Sequence, residues 1–95
     1  MSDGRQVDRE AAEQIGRNVY MARRRTGFSQ EELGALAGLH RTEIGMVENG
    51  ERPPRVDTLL KLAFSLAVPV GELVSGIEWI VPVASSPGSF AVAGS

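Results

Sequence analysis

The chain contains no cysteine and a single histidine, His40, in 95 residues. Without thiols there is neither a disulfide framework nor a thiolate metal site. No spacing of acids and histidine matches a metal-ligand set, and no glycine-rich phosphate loop is present. His40 stands at a predicted helix start, not among acids, so it makes a poor catalytic base. These absences predict a protein that is not an enzyme and needs no cofactor or metal. No apolar run reaches membrane-spanning length, and the N-terminus lacks the apolar centre of a signal peptide. The expectation is a cytoplasmic protein with no membrane partner. A large charge of one sign is also missing, the formal net charge being −2. The distribution is uneven, however. Residues 17–61 carry eight basic and six acidic side chains, the remainder two basic and six acidic. Affinity for a polyanion therefore depends on where the arginines of this weakly positive middle sit. Ninety-five residues make one domain able to bury a modest core.

What the chain does contain is concentrated in Ser29 to Gly50, SQEELGALAGLHRTEIGMVENG. Ser29 and Glu32 form a capping box, in which the hydroxyl takes a free amide of the first turn and the carboxylate reaches back. Glu31 and Glu32 suit the positive end of the helix dipole. Leu33, Leu36 and Ala37 fall at i, i+3, i+4 and predict one buried stripe. Gly38 ends this helix in left-handed geometry, and Leu39 is expected to turn inward. A second helix is predicted from Arg41 to Glu48, with Ile44 and Val47 on its buried side. Asn49-Gly50 stops it, again through left-handed geometry. Two short helices joined by a tight glycine turn can lay the second helix in the major groove of DNA.

The outward side of that second helix carries Arg41, Thr42, Glu43 and Met46, with Gly45 between. An arginine at the start of such a helix can donate two hydrogen bonds to guanine. Thr42 can bond either base type or touch a thymine methyl, and Met46 offers apolar contact. A solvated helix face carrying one arginine is the plainer alternative, and the flanking turn geometry favours the DNA reading over it.

The remaining pattern is helical up to about Gly76. Residues 1–7 read as a flexible N-terminus and residues 8–76 as the domain. A first helix from about Asp8 to Arg25 buries Ile15, Val19 and Ala22. It ends in Arg23-Arg24-Arg25, which complements the negative end of the dipole. Arg24 and Arg25 fit phosphate contacts and a solvated helix end equally well. Thr26-Gly27-Phe28 is a turn with Phe28 buried. The loop at residues 51–55 is stiffened by two prolines, and its Arg52 and Arg55 can flank a DNA backbone. A fourth helix from about Val56 to Leu66 is expected to bury Val56, Leu59, Leu60, Ala63 and Leu66. Pro69 then opens a short fifth helix with Val70, Leu73 and Val74.

Residues 15–74 resemble the XRE helix-turn-helix family, the Cro and C1 type of phage repressor. The residues that carry the resemblance are Ile15-Gly16, Arg23, Phe28 to Leu33, Ala37-Gly38, Ile44, Glu48-Asn49-Gly50, Pro54 and Asp57 to Ala63. Leu39-His40-Arg41-Thr42 is further similar to restriction–modification controller proteins, on four residues. The resemblance implies an all-α, compact five-helix, lambda-repressor-like domain with a short extended C-terminal tail. It implies sequence-specific binding of double-stranded DNA in transcription regulation, as a homodimer on a partly symmetric operator. Arg41, Thr42 and Met46 match base-reading positions. Gln30 matches a phosphate contact, and His40 and Asn49 match positions that touch the sugar–phosphate backbone. Arg23 and Glu48 match a partly buried salt bridge, which gives Glu48 a structural role. Four departures bear on rigidity. Gly34 stands where alanine is usual and Gly45 interrupts the second helix, each loosening it by roughly 1 kcal/mol. His40 replaces the usual serine or threonine, which predicts a weaker cap, and Arg55 likewise replaces a cap.

The tail, residues 77–95, has a strand-like run Ile77 to Val83 whose Pro82 excludes a central strand. A small-residue linker follows, then a second extended piece, Ser89 to Val92. An apolar segment beyond a closed domain should pack somewhere. Leu73, Ile77, Trp79 and Ile80 are the candidates for a dimer or partner contact, with Trp79 as anchor. An intramolecular lid over the fifth helix is the alternative. A protein-interaction module of antitoxin type, binding a partner protein through this tail, is the second functional reading.

Overall fold

The computed structural model describes residues 4–93, with side chains from residue 9 onward. Helix α1 spans Gly4–Thr26, α2 Gln30–Ala37, α3 Arg41–Glu48, α4 Val56–Leu66 and α5 Val70–Leu73. Strands β1, Ile77–Ile80, and β2, Ser89–Val92, follow. The helical periodicity of the sequence thus corresponds to five helices in the expected order. Helix α1 begins four residues before the expected Asp8, so residues 4–7 are helical. Residues 1–3, and 94–95 of the tail, lie outside the described residues.

The five largest fully buried side chains are Val19, Leu33, Ile44, Leu62 and Leu73, one from each helix. Each helix therefore contributes an anchor to one shared core, and none is an appendage. Ile15 and Ala22 of α1 join it as expected, and Phe28 and Leu39 pack against it half-buried.

Two stripes lie differently from expectation. Leu36 is 58 % exposed, and α2 buries Leu33, Gly34 and Ala37 instead. A Cβ on Gly34 would stand 2.5 Å from the Leu39 carbonyl oxygen. That close approach turns the Gly34 side of α2 inward and so rotates Leu36 out. In α4, Val56 (74 %) and Leu60 (42 %) are exposed, while Leu62, Ala63 and Leu66 are buried and Leu59 is half-buried. The run VDTLLKLAFSL supports two overlapping apolar stripes, and periodicity does not choose between them. Docking on the other helices selects the one through Leu62. It leaves Val56, Leu60 and Phe64, the last 82 % exposed, as an apolar line on the outside.

The tail corrects the all-α expectation. β1 and β2 pair antiparallel, with Ile77 opposite Val92 and Trp79 opposite Phe90. The Trp79 and Phe90 rings meet edge to face, their centroids 5.1 Å apart. Pro82 falls beyond the end of β1, where its missing N–H costs no ladder bond. β2 lies along α1, whose Ala11 and Ala12 are buried, and Ile77 packs on the core. Asn18 pins the junction, its Nδ2 donating to the carbonyls of Leu73 (3.1 Å) and Ser75 (3.0 Å). Among the described residues no helix is long and apolar enough to cross a membrane.

Candidate nucleic-acid interface

The back of α3 is held by three neighbours. Ile44 and Val47 enter the core. Helix α1 crosses so near the end of α3 that a Cβ on Gly16 would stand 2.5 Å from the Val47 carbonyl oxygen. Only glycine permits that crossing. Beside it, Arg23 and Glu48 form a two-pronged ion pair, Nε to Oε2 at 2.6 Å and Nη2 to Oε1 at 2.9 Å. Both side chains are under one-tenth exposed. Hydrogen bonding to Glu48 raises the Arg23 guanidinium above its ordinary pKa, against the burial that opposes its charge. Arg23 also donates to the Phe28 carbonyl at 2.9 Å, and Gln30 Nε2 donates to Glu48 Oε1 at 3.1 Å. One carboxylate therefore joins α1, the start of α2 and the end of α3. A buried acid is tolerated here because every side of it is bonded.

Local chemistry sets both ends of the two-helix unit. Ser29 caps α2 as expected: Glu32 N donates to its Oγ at 3.0 Å, and Ser29 N donates to Glu32 Oε1 at 2.9 Å. Gly38 takes the left-handed conformation after α2. His40 caps α3 despite its unusual residue type. Thr42 N donates to its Nδ1 at 3.0 Å, while His40 N donates to Glu43 Oε1 at 3.2 Å. An imidazole nitrogen serves here as the acceptor that serine or threonine supplies elsewhere. The Thr42 hydroxyl also lies 2.9 Å from Nδ1, so the histidine orients the neighbouring polar side chain. At the other end Asn49 is right-handed, and Gly50 alone takes the left-handed geometry expected of the pair. Arg55, as expected, makes no cap for α4 and pairs with Asp57 at 3.3 Å.

The front of α3 is open. Arg41, Thr42 and Glu43 are exposed, and Gly45 and Met46 are half-buried. Arg41 reaches Glu31 only at 3.8 Å with both groups in solvent, a contact that holds it weakly. Arg41, Gly45 and Asn49 make one line along the helix, flanked by Thr42 and Met46. With Gln30 and Glu51 they line an open, shallow hollow of about 390 Å³. A second concavity of about 400 Å³ lies beside it, between Glu43 and Met46 on one wall and Arg52, the two prolines and Arg55 on the other.

The remaining predicted residues divide. Arg52 sits beside α3 in the second concavity. Arg24 lies over the Tyr20 ring, 5.8 Å from its centroid, and Arg23 packs against the same ring. Sequence reasoning passed over Tyr20, although the i, i+3 and i+4 spacing to these arginines was a signal. Arg25 pairs with Glu72 and so ties the end of α1 to α5. Of the four tail candidates, Leu73 is fully buried in its own core and has no surface for a partner. Ile77 is half-buried, whereas Trp79 and Ile80 are about half exposed. Among the described residues no cluster of His, Cys, Asp or Glu could hold a metal ion.

Known proteins are similar to this chain in sequence and fold. A helix-turn-helix family model matches residues 19–73, more than half of the chain. Control protein C.SmaI of Serratia marcescens is 41 % identical over 61 residues, spanning 64 % of this chain and 73 % of its own length. The crystal structure of the restriction–modification controller protein C.AhdI from Aeromonas hydrophila superposes with a TM-score of 0.63 at 37 % identity. The match covers 65 % of this chain and 94 % of that one. The P22 c2 repressor, solved with a synthetic operator, superposes with a TM-score of 0.61 at 26 % identity, over 65 % of this chain and 94 % of its own. The chain belongs to the helix-turn-helix family of Cro/C1 type.

Proposed function

We propose that this protein is a sequence-specific, DNA-binding transcriptional regulator that inserts α3 into the major groove of double-stranded DNA. The observation that carries the reading is the contrast between the two sides of α3. Its back is held by the core, by the Gly16 crossing and by the Arg23–Glu48 pair. Its front leaves Arg41 and Thr42 unburied on a concave surface. A helix fixed from behind with exposed donors on its outer face suits base-edge recognition, where an arginine pairs with guanine O6 and N7. Gln30, His40, Asn49 and Arg52 surround that face and serve as backbone contacts that set register. The similarity to controller proteins and to an operator-bound repressor supports the reading.

The protein acts as a homodimer on two half-sites about one helical turn apart. The exposed apolar line Val56, Leu60 and Phe64 on α4 and the Trp79–Ile80 part of the hairpin are surfaces that a second copy can cover. Selection of bound DNA from a random pool tests the whole reading. Recovery of a paired, partly symmetric site is the expected result. No enrichment would sink DNA recognition, and a lone half-site would remove the dimer. Arg41→Ala should then relax the preference at one base pair per half-site, costing roughly 1–3 kcal/mol of discrimination.

A further inference from the structure

Helices α1, α2 and α3 each hold an interior glycine, Gly16, Gly34 and Gly45, and the three have quite different surroundings. A Cβ on Gly16 or Gly34 would meet backbone oxygen at 2.5 Å, so packing demands glycine at both. At Gly45 the nearest atoms to such a Cβ are those of the Gln30 carboxamide, at 3.8 Å, which is ordinary van der Waals distance. Gly45 lies inside α3 and has no left-handed backbone to excuse it. Glycine within a helix is less stable than alanine. The fold therefore gains nothing from Gly45. What its missing side chain does create is the floor of the hollow between Gln30, Arg41, Thr42, Met46 and Asn49.

The chemistry of that hollow points to its occupant. Arg41 and Glu51 stand on its rim with opposite charges, so it does not select a free anion. Met46 and the bare Cα of Gly45 are apolar, whereas the Gln30 amide is tethered to Glu48 by one hydrogen bond. In the major groove the one apolar group presented by a base pair is the C5 methyl of thymine. We infer that Gly45 is a specificity-determining position, whose missing side chain opens a seat on α3 for a thymine methyl of the operator. This rests on the proposed DNA reading and extends it: part of the sequence is read by shape against the helix backbone, beside the hydrogen bonds of Arg41.

The experiment uses the full chain, the operator that it selects, and copies of that operator with each thymine replaced in turn by deoxyuridine, which lacks only the methyl. For the unaltered protein, one thymine per half-site should prove sensitive, with binding about threefold to fivefold weaker, the contribution of one buried methyl. In Gly45→Ala the new methyl fills the seat. Binding to the thymine operator should fall about tenfold through crowding, and the thymine preference at that position should vanish or reverse. The same variant should melt about 4–8 °C higher, since alanine favours the helix. A variant with unchanged affinity and an unchanged thymine-to-uracil ratio overturns the inference while leaving DNA recognition intact. So does a fall in melting temperature, which would show that the fold needs this glycine. If the unaltered protein selects no operator, the inference falls together with the reading beneath it.

Discussion

The α2–α3 unit and the C-terminal hairpin are both short, and both are tied to α1, yet they are stabilised in opposite ways. The helical pair is held by a buried ion pair, two side-chain capping boxes and contacts so close that Gly16 and Gly34 admit no Cβ. The hairpin is held by backbone pairing, the Trp79–Phe90 contact and the packing of Ile77 and β2 on the helices, and Trp79, Ile80 and Val81 remain at least half exposed. A surface that reads another molecule must be positioned before that molecule arrives, so its geometry is over-determined from behind. An apolar ribbon can be adequately tied to its domain without being fixed in detail. The polar network thus belongs with the region whose orientation matters.

Breaking the network should produce the largest effect. Arg23→Ala strands the Glu48 carboxylate in the core, with an expected loss of about 3–5 kcal/mol in denaturant unfolding. Replacing both partners with methionine should recover most of that stability, yet leave Gln30 without its tether and DNA binding weakened. Full recovery of binding in the double variant would show that the pair only stabilises and does not position.

Next in size is Gly34→Ala, which sets a methyl against the Leu39 carbonyl and so attacks the geometry of the turn directly. Urea midpoints should fall by the equivalent of about 1–3 kcal/mol. The opposite sign expected at Gly45 makes the pair a sharp comparison, because helix propensity favours alanine equally at both positions. If both variants are stabilised, the close approach at Gly34 is not a constraint. The hairpin should respond least. Trp79→Ala removes the edge-to-face contact with Phe90 and should cost about 0.5–1.5 kcal/mol. Its sedimentation at micromolar concentration should also shift toward monomer if the hairpin takes part in dimerisation. A loss as large as that of Arg23→Ala would erase the distinction between the two regions.

Much of the helical architecture was legible because it is locally encoded. Ser29 with Glu32, Gly38 and the Ile44–Val47 spacing each specify their geometry within one or two turns. Burial in α4 was not legible, since the apolar run from Leu59 to Phe64 offers two faces and only docking chooses. The His40 cap was hidden by residue type, as a ring nitrogen becomes a cap only when its rotamer points back at Thr42. The hairpin was visible as two extended pieces, but their pairing spans a loop whose length carries no register.

Residue order alone carried the helix starts and stops, the Arg23 and Glu48 partnership through its family pattern, and the candidate reading face of α3. These depend on capping, backbone freedom and side-chain period, all of which act over a few residues. The fold had to supply which of two apolar stripes is buried, that Leu73 belongs to its own core, and that Gly34 and Gly45 differ. Those questions turn on how separate elements and turns approach one another in space, as with the 2.5 Å and 3.8 Å that distinguish a constrained glycine from an unconstrained one. Short-range chemistry writes the helices; close packing assigns their faces.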